Sequence, residues 1–161
     1  MGTYLLLSLL YAVYLQVSTN ESHSPDYITT LVSNQSKEVI SSFGYKANVI
    51  PYGKEPSIKL YINNQYLANI IEGCNALSII ILFISFVVSF SQNFKKTLLF
   101  IFVGTVLIYS INILRIAILA IAIYEYPQYQ SFLHGIIFPG LIYGMVFLLW
   151  MLWVRMLKHK T

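Results

Sequence analysis

Residues 98–124 are apolar almost throughout and carry a single charge, Arg115. Crossing a bilayer takes about 20 mostly apolar residues at ~1.5 Å rise each, and this run exceeds that length. Three further stretches, 3–17, 76–90 and 135–154, hold no charge. Of the 16 charged residues (10 Lys+Arg and 6 Asp+Glu), 15 therefore lie outside the four runs and one lies inside. Soluble domains carry about 25% charged residues, whereas this chain has 10%, with 57% hydrophobic residues. Its 16% aromatic content excludes a disordered chain. An integral membrane protein remains. The net charge of +4 comes without a basic stripe, so no nucleic-acid partner is expected. The single cysteine, Cys74, rules out an intramolecular disulfide.

The first run is short enough to be compared with a signal-peptide core. It lacks a basic leading segment and a small-x-small cleavage site, and Tyr4, Tyr11 and Tyr14 suit a membrane anchor better. The positive-inside rule then orients the chain. Lys95 and Lys96, and the tail with Arg155, Lys158 and Lys160, mark the cytoplasmic side. The loop 125–131 has no Lys or Arg and falls outside. The expected fold is an all-α membrane protein with about four transmembrane helices, both termini cytoplasmic. Residues 1–17 form the first transmembrane helix, 18–70 an extracytoplasmic segment, and 71–161 a three-helix membrane core with a cytoplasmic tail.

The segment 18–70 predicts a small α+β cap between the first and second spans. Ser24-Pro25 is a helix start, with Ser at the N-cap and Pro at N1. Ile28, Leu31, Val32, Val39, Ile40 and Phe43 recur at helical spacing, which gives an amphipathic helix on the membrane or on the bundle. Residues 47–50 and 57–62 read as short strands around a turn at 52–56. Such a cap either shields a site at the outer face or is a plain connector.

An ionisable residue inside a span is costly and marks a candidate site. Arg115 is that residue, about 13 Å below the end of an ideal helix closing at Tyr124, and Asn112 shares its face three residues earlier. Cys74 opens the second span, where helix N–H groups favour a thiolate; Glu72 opposes that effect by charge. His134 opens the fourth span, with Ser131 able to cap the helix. A histidine in a first turn is biased toward its neutral form. Each of these residues alone has a bland alternative: a structural arginine, an inert buried cysteine, an interfacial histidine. Their conjunction at one outer interface is more specific. A nucleophile, a proton shuttle and an oxyanion stabiliser are the groups that acyl transfer requires. Glu72, Cys74 and His134 also match the ligand count of a catalytic zinc. There is no HExxH and no second histidine nearby, so no metal and no cofactor are expected. Gly140 and Gly144 form a GxxxG pattern that predicts close helix packing, and Pro139 predicts a loosened helix just below His134.

The motifs Glu72-Gly73-Cys74-Asn75-Ala76, Asn112-Ile113-Leu114-Arg115-Ile116 and His134-Gly135 resemble the three motifs of the exosortase/archaeosortase family. The resemblance runs from about residue 70 to 155, with motif order intact, and is most like the small exosortase F subgroup. Two departures stand out. Asn75-Ala76 occupies the place of Ser-Gly in the commoner cysteine motif, and Ser78 stands where that motif has Arg or Gln. Many members have about eight spans. The resemblance implies a cysteine transpeptidase or protease of the bacterial cytoplasmic membrane, with its active site at the extracytoplasmic face. Cys74 would be the nucleophile, His134 the acid/base and Arg115 the thiolate or oxyanion stabiliser, supported by Glu72, Asn75 and Asn112. Implied partners are exported proteins with a C-terminal transmembrane sorting signal, the lipid bilayer, and an acceptor nucleophile of unknown kind. A non-enzymatic four-helix scaffold with a structural Arg115 is the alternative.

Overall fold

The computed structural model describes residues 2–20, 27–53, 57–71, 74, 76–90 and 93–158. Helix α1 (Gly2–Asn20) is followed by α2 (Tyr27–Ser42), three strands β1 (Ala47–Tyr52), β2 (Ser57–Ile62) and β3 (Gln65–Ile70), then α3 (Leu77–Ser89) and α4 (Phe94–Glu125). The last apolar run begins as a 3₁₀ turn at Pro127–Tyr129 and passes through α5 (Gln130–Phe132) and a π-helical turn (Leu133–Ile137) into α6 (Phe138–Lys158). Among the described residues, two helical stretches, Phe94–Glu125 and Pro127–Met156, are long and apolar enough to cross a membrane.

The 32-residue α4 is about 48 Å long and joins two cores. Its Ile108 packs with Ala76, Ile80, Phe83 and Val87 around α3, and with Val146, Leu149 and Trp153 of α6. Aromatic rings fill that bundle. Phe86 stacks on Trp150 at 4.4 Å and Phe100 on Trp153 at 4.7 Å. At the other end of α4, Ile116, Ala117, Leu119, Ala120 and Ile123 pack against Val32, Ile40, Ile58, Leu60, Ile62, Leu67 and Ile70 of the cap. The sequence pattern put Arg115 well inside a span. In the structure the turns beyond it are covered by the cap, so Arg115 sits at the junction of the two cores.

The cap departs from expectation in two ways. First, it holds three antiparallel strands, in the order β1-β2-β3. The third strand was not anticipated. Its signal is Asn63-Asn64, whose backbones take φ of 49° and 66°. Asparagine tolerates left-handed backbone, and two such residues in a row make the tight turn whose twist matches paired strands. Second, α2 buries Thr29, Val32, Ser33, Ser36 and Ile40, while Leu31 and Phe43 stay exposed. Ser33 and Ser36 donate to the carbonyls of Thr29 and Val32 at 2.7 and 2.8 Å, so these small polar side chains enter the interface already satisfied. Of the two placements expected for it, α2 takes the one on the bundle, packed against α4. Tyr109 of α4 donates to Gln35 Oε1 at 2.6 Å, Asn63 Nδ2 to the Tyr124 hydroxyl at 3.1 Å, and Tyr45 to Glu125 Oε1 at 3.0 Å. The helix start at Ser24-Pro25 and most of the turn at 52–56 lie outside the described residues.

The glycine expectation is also corrected. A Cβ built on Gly140 or Gly144 meets nothing within 4 Å, whereas one built on Gly104 would overlap the Phe83 ring. The close helix approach is therefore α4 on α3, at a glycine with no GxxxG partner.

Candidate active site

Cys74 lies in a short turn between β3 and α3, two residues before the Ala76 N-cap of α3. Its N–H donates to the Ile71 carbonyl at 2.8 Å, and its own carbonyl accepts from Asn112 Nδ2 at 2.6 Å. Asn112 is 1% exposed, and a buried amide left unpaired is costly. Pairing it with Cys74 thus ties the turn to the middle of α4. Ala76 ends the turn with φ 61° and ψ 2°, the left-handed region that glycine adopts without penalty. Its carbonyl accepts the first helical bonds, from the Ile79 and Ile80 N–H groups at 3.1 and 3.0 Å.

Arg115 follows Asn112 by almost one helical turn. Arg115 and Cys74 line one cleft of about 40 Å³, together with Leu60, Ala68, Asn69 and Ile70 of the cap and Ile116, Leu119, Ala120 and Ile123 of α4. Arg115 Nε and Asn112 Oδ1 are buried with no hydrogen-bond partner among the described residues. Two polar atoms thus remain unspent beside the one cysteine, where the low local dielectric makes an unmet donor expensive and a met one strong.

His134 sits within the π-helical turn, and nothing of its side chain is among the described residues. Its position corrects one expectation. The helical path starts at Pro127 rather than Ser131, and no side-chain hydrogen bond caps it. His134 is therefore beyond the first turn, and the argument from the positive helix end does not apply to it. The π turn has a local cause in Pro139, which cannot donate to the carbonyl four residues back and crowds it. Single π turns are frequent at functional sites. Glu72 and Asn75 lie outside the described residues.

The structure thus brings Cys74, Asn112 and Arg115 together, and cap residues wall their cleft, in line with the shielding alternative for the cap. Leu60, Ala68, Asn69 and Ile70 carry no reactive group, so only tertiary contact could find them.

No curated protein matches the chain. No solved structure matches it either. The family described as transmembrane exosortase (Exosortase_EpsH) matches residues 3–154. That match spans both cores and every motif above, so the chain belongs to the transmembrane exosortase family, membrane-embedded enzymes that process the sorting signals of exported proteins.

Proposed function

We propose that the chain is a cysteine transpeptidase or protease that cleaves C-terminal sorting signals of exported proteins at the outer face of the cytoplasmic membrane. The observation that carries this reading is the shared cleft of Cys74 and Arg115. The Cys74 thiolate attacks the scissile carbonyl, forming a C–S bond and a tetrahedral oxyanion. The Arg115 guanidinium, with a donor unspent, stabilises that charge. His134 takes the thiol proton and returns it to the leaving amine as the C–N bond breaks. An acceptor amine, lipid hydroxyl or water then attacks the thioester and frees the thiol. Asn112 holds the Cys74 turn in place. Glu72 and Asn75, flanking the cysteine, complete the motif.

The same reading gives four spans with both termini cytoplasmic: residues 1–17, then a three-helix core in 71–161, with 18–70 as the outer cap. The geometry of α4 supports it. From Phe94 to Asn112 is about 27 Å of helix, close to the ~30 Å of a hydrocarbon core. The remainder of α4 rises into the cap. The form of the cysteine motif supports the exosortase F subgroup.

The test replaces Cys74, Arg115 and His134 singly by alanine in the native cell. Processing of exported proteins ending in an apolar helix and a basic tail is then followed at matched enzyme levels. Loss of processing in all three variants is expected. Normal processing by Cys74→Ala would sink the proposal.

A further inference from the structure

The sheet of the cap has two edge strands, and they differ. β1 carries Pro51, which removes a ladder donor, as edge strands that avoid pairing commonly do. β3 reads Gln-Tyr-Leu-Ala-Asn-Ile, with no proline and no charge. Its register pairs it with β2 alone, and among the described residues its other edge has no backbone hydrogen bond. Gln65, Tyr66 and Asn69 are exposed along it. The strand also points at the candidate nucleophile. It ends at Ile70, four residues before Cys74, and Ala68, Asn69 and Ile70 line the Cys74–Arg115 cleft.

We propose that the free edge of β3 binds an extended stretch of the exported protein's sorting signal as an added strand, and that this pairing delivers the scissile residue to Cys74. The proposal rests on the reading of Cys74 as nucleophile and names how its substrate is held. Backbone pairing supplies affinity with little dependence on side chains, while pockets beside alternate residues supply selectivity. Here the pocket is small. A cleft of about 40 Å³ walled by Ala68 has room for about three waters, each needing roughly 10–15 Å³ on this measure. The residue at the scissile bond is accordingly small, of alanine or glycine size. An unpaired, unprotected edge invites aggregation. Occupation by substrate gives that liability a use.

The full-length protein in lipid nanodiscs is treated with acetyl-Ala-Ala-Ala chloromethyl ketone, which alkylates a thiolate with loss of chloride. The chain has one cysteine, so intact mass reads alkylation of Cys74 directly. Two analogues carry a backbone N-methyl on successive amides, and chloroacetone serves as a peptide-free control. Added strands alternate paired and unpaired amides, so one analogue, and not both, is expected to react about tenfold more slowly than the parent. A leucine chloromethyl ketone in place of the last alanine is expected to slow by a similar factor. Equal rates for the parent and both N-methyl analogues would overturn the edge pairing while leaving a reactive Cys74. Absence of alkylation even by chloroacetone would instead overturn Cys74 as nucleophile.

Discussion

The backbone of Ala76, at φ 61°, gives the departure from the commoner cysteine motif an energetic cost. That motif has glycine at this position, and a left-handed backbone is where glycine costs least. Alanine there carries strain of order 1–2 kcal/mol, which its buried methyl group (3% exposed) offsets by about 0.8 kcal/mol. The turn that presents Cys74 is thus held by packing and by Asn112, rather than by intrinsic preference. Asn112→Ala removes the 2.6 Å bond to the Cys74 carbonyl and leaves that carbonyl without its partner. A loss of about 1–3 kcal/mol is expected, with faster amide hydrogen exchange confined to residues 71–76 and the first turn of α3. Unchanged exchange there would show that Asn112 does not hold the turn.

Helix packing shows how a pattern can mislead. The spacing of Gly140 and Gly144 suggests a contact, yet both face open space, and their neighbours Leu141 and Tyr143 are exposed. Gly104 has no partner glycine in sequence, but the Phe83 ring occupies the place of its missing side chain. Phe83 is fully buried and its ring lies 5.8 Å from that of Phe100, so it has little room to yield. Gly104→Ala is expected to destabilise the bundle by about 1–3 kcal/mol. Gly140→Ala should change thermal stability by less than about 0.5 kcal/mol. Thermal unfolding in detergent compares the two, and an equal response would contradict this packing. The last helix shows the same dependence on context. Proline at 139 was readable as a disturbance, but its resolution into a π turn that holds His134 depends on where the helical path begins.

Cap and bundle meet along α4, and the contact at its C-terminal end responds to pH. The Tyr45 hydroxyl is pushed above its ordinary ionisation range, chiefly by its hydrogen bond to the Glu125 carboxylate, then by burial and by the charge of Glu125. A raised value in the folded state means that the contact is fully present below the unfolded value of about 10. It is lost as pH rises through the folded value. Protection of the amides in residues 45–47 and 63–65 of the cap, taken relative to their intrinsic base-catalysed exchange, should therefore fall above pH ~10 in the parent protein. Tyr45→Phe should show that loosened state already at neutral pH, with a smaller further change on titration. A parent and variant that titrate alike would remove this contact from the docking of the cap.

Much of this architecture was open to reading in one dimension. Charge is so costly in hydrocarbon that 16 charged residues sort themselves into the places water reaches, and the apolar runs follow. The strands β1 and β2 and the helix α2 were legible from periodicity, and Cys74, Arg115 and Asn112 from their placement on it. Four things were decided only when distant segments met. They are the third strand, the small-residue face that α2 buries, the glycine that seats α3 on α4, and the cap wall over the cysteine. Each depends on which surface lies opposite, and periodicity carries no information about that. Arg115 shows the difference most clearly. Its charge in an apolar run was visible in the sequence, but its place at the seam of two cores, beside Cys74 and beneath β3, exists only because the cap folds back onto α4.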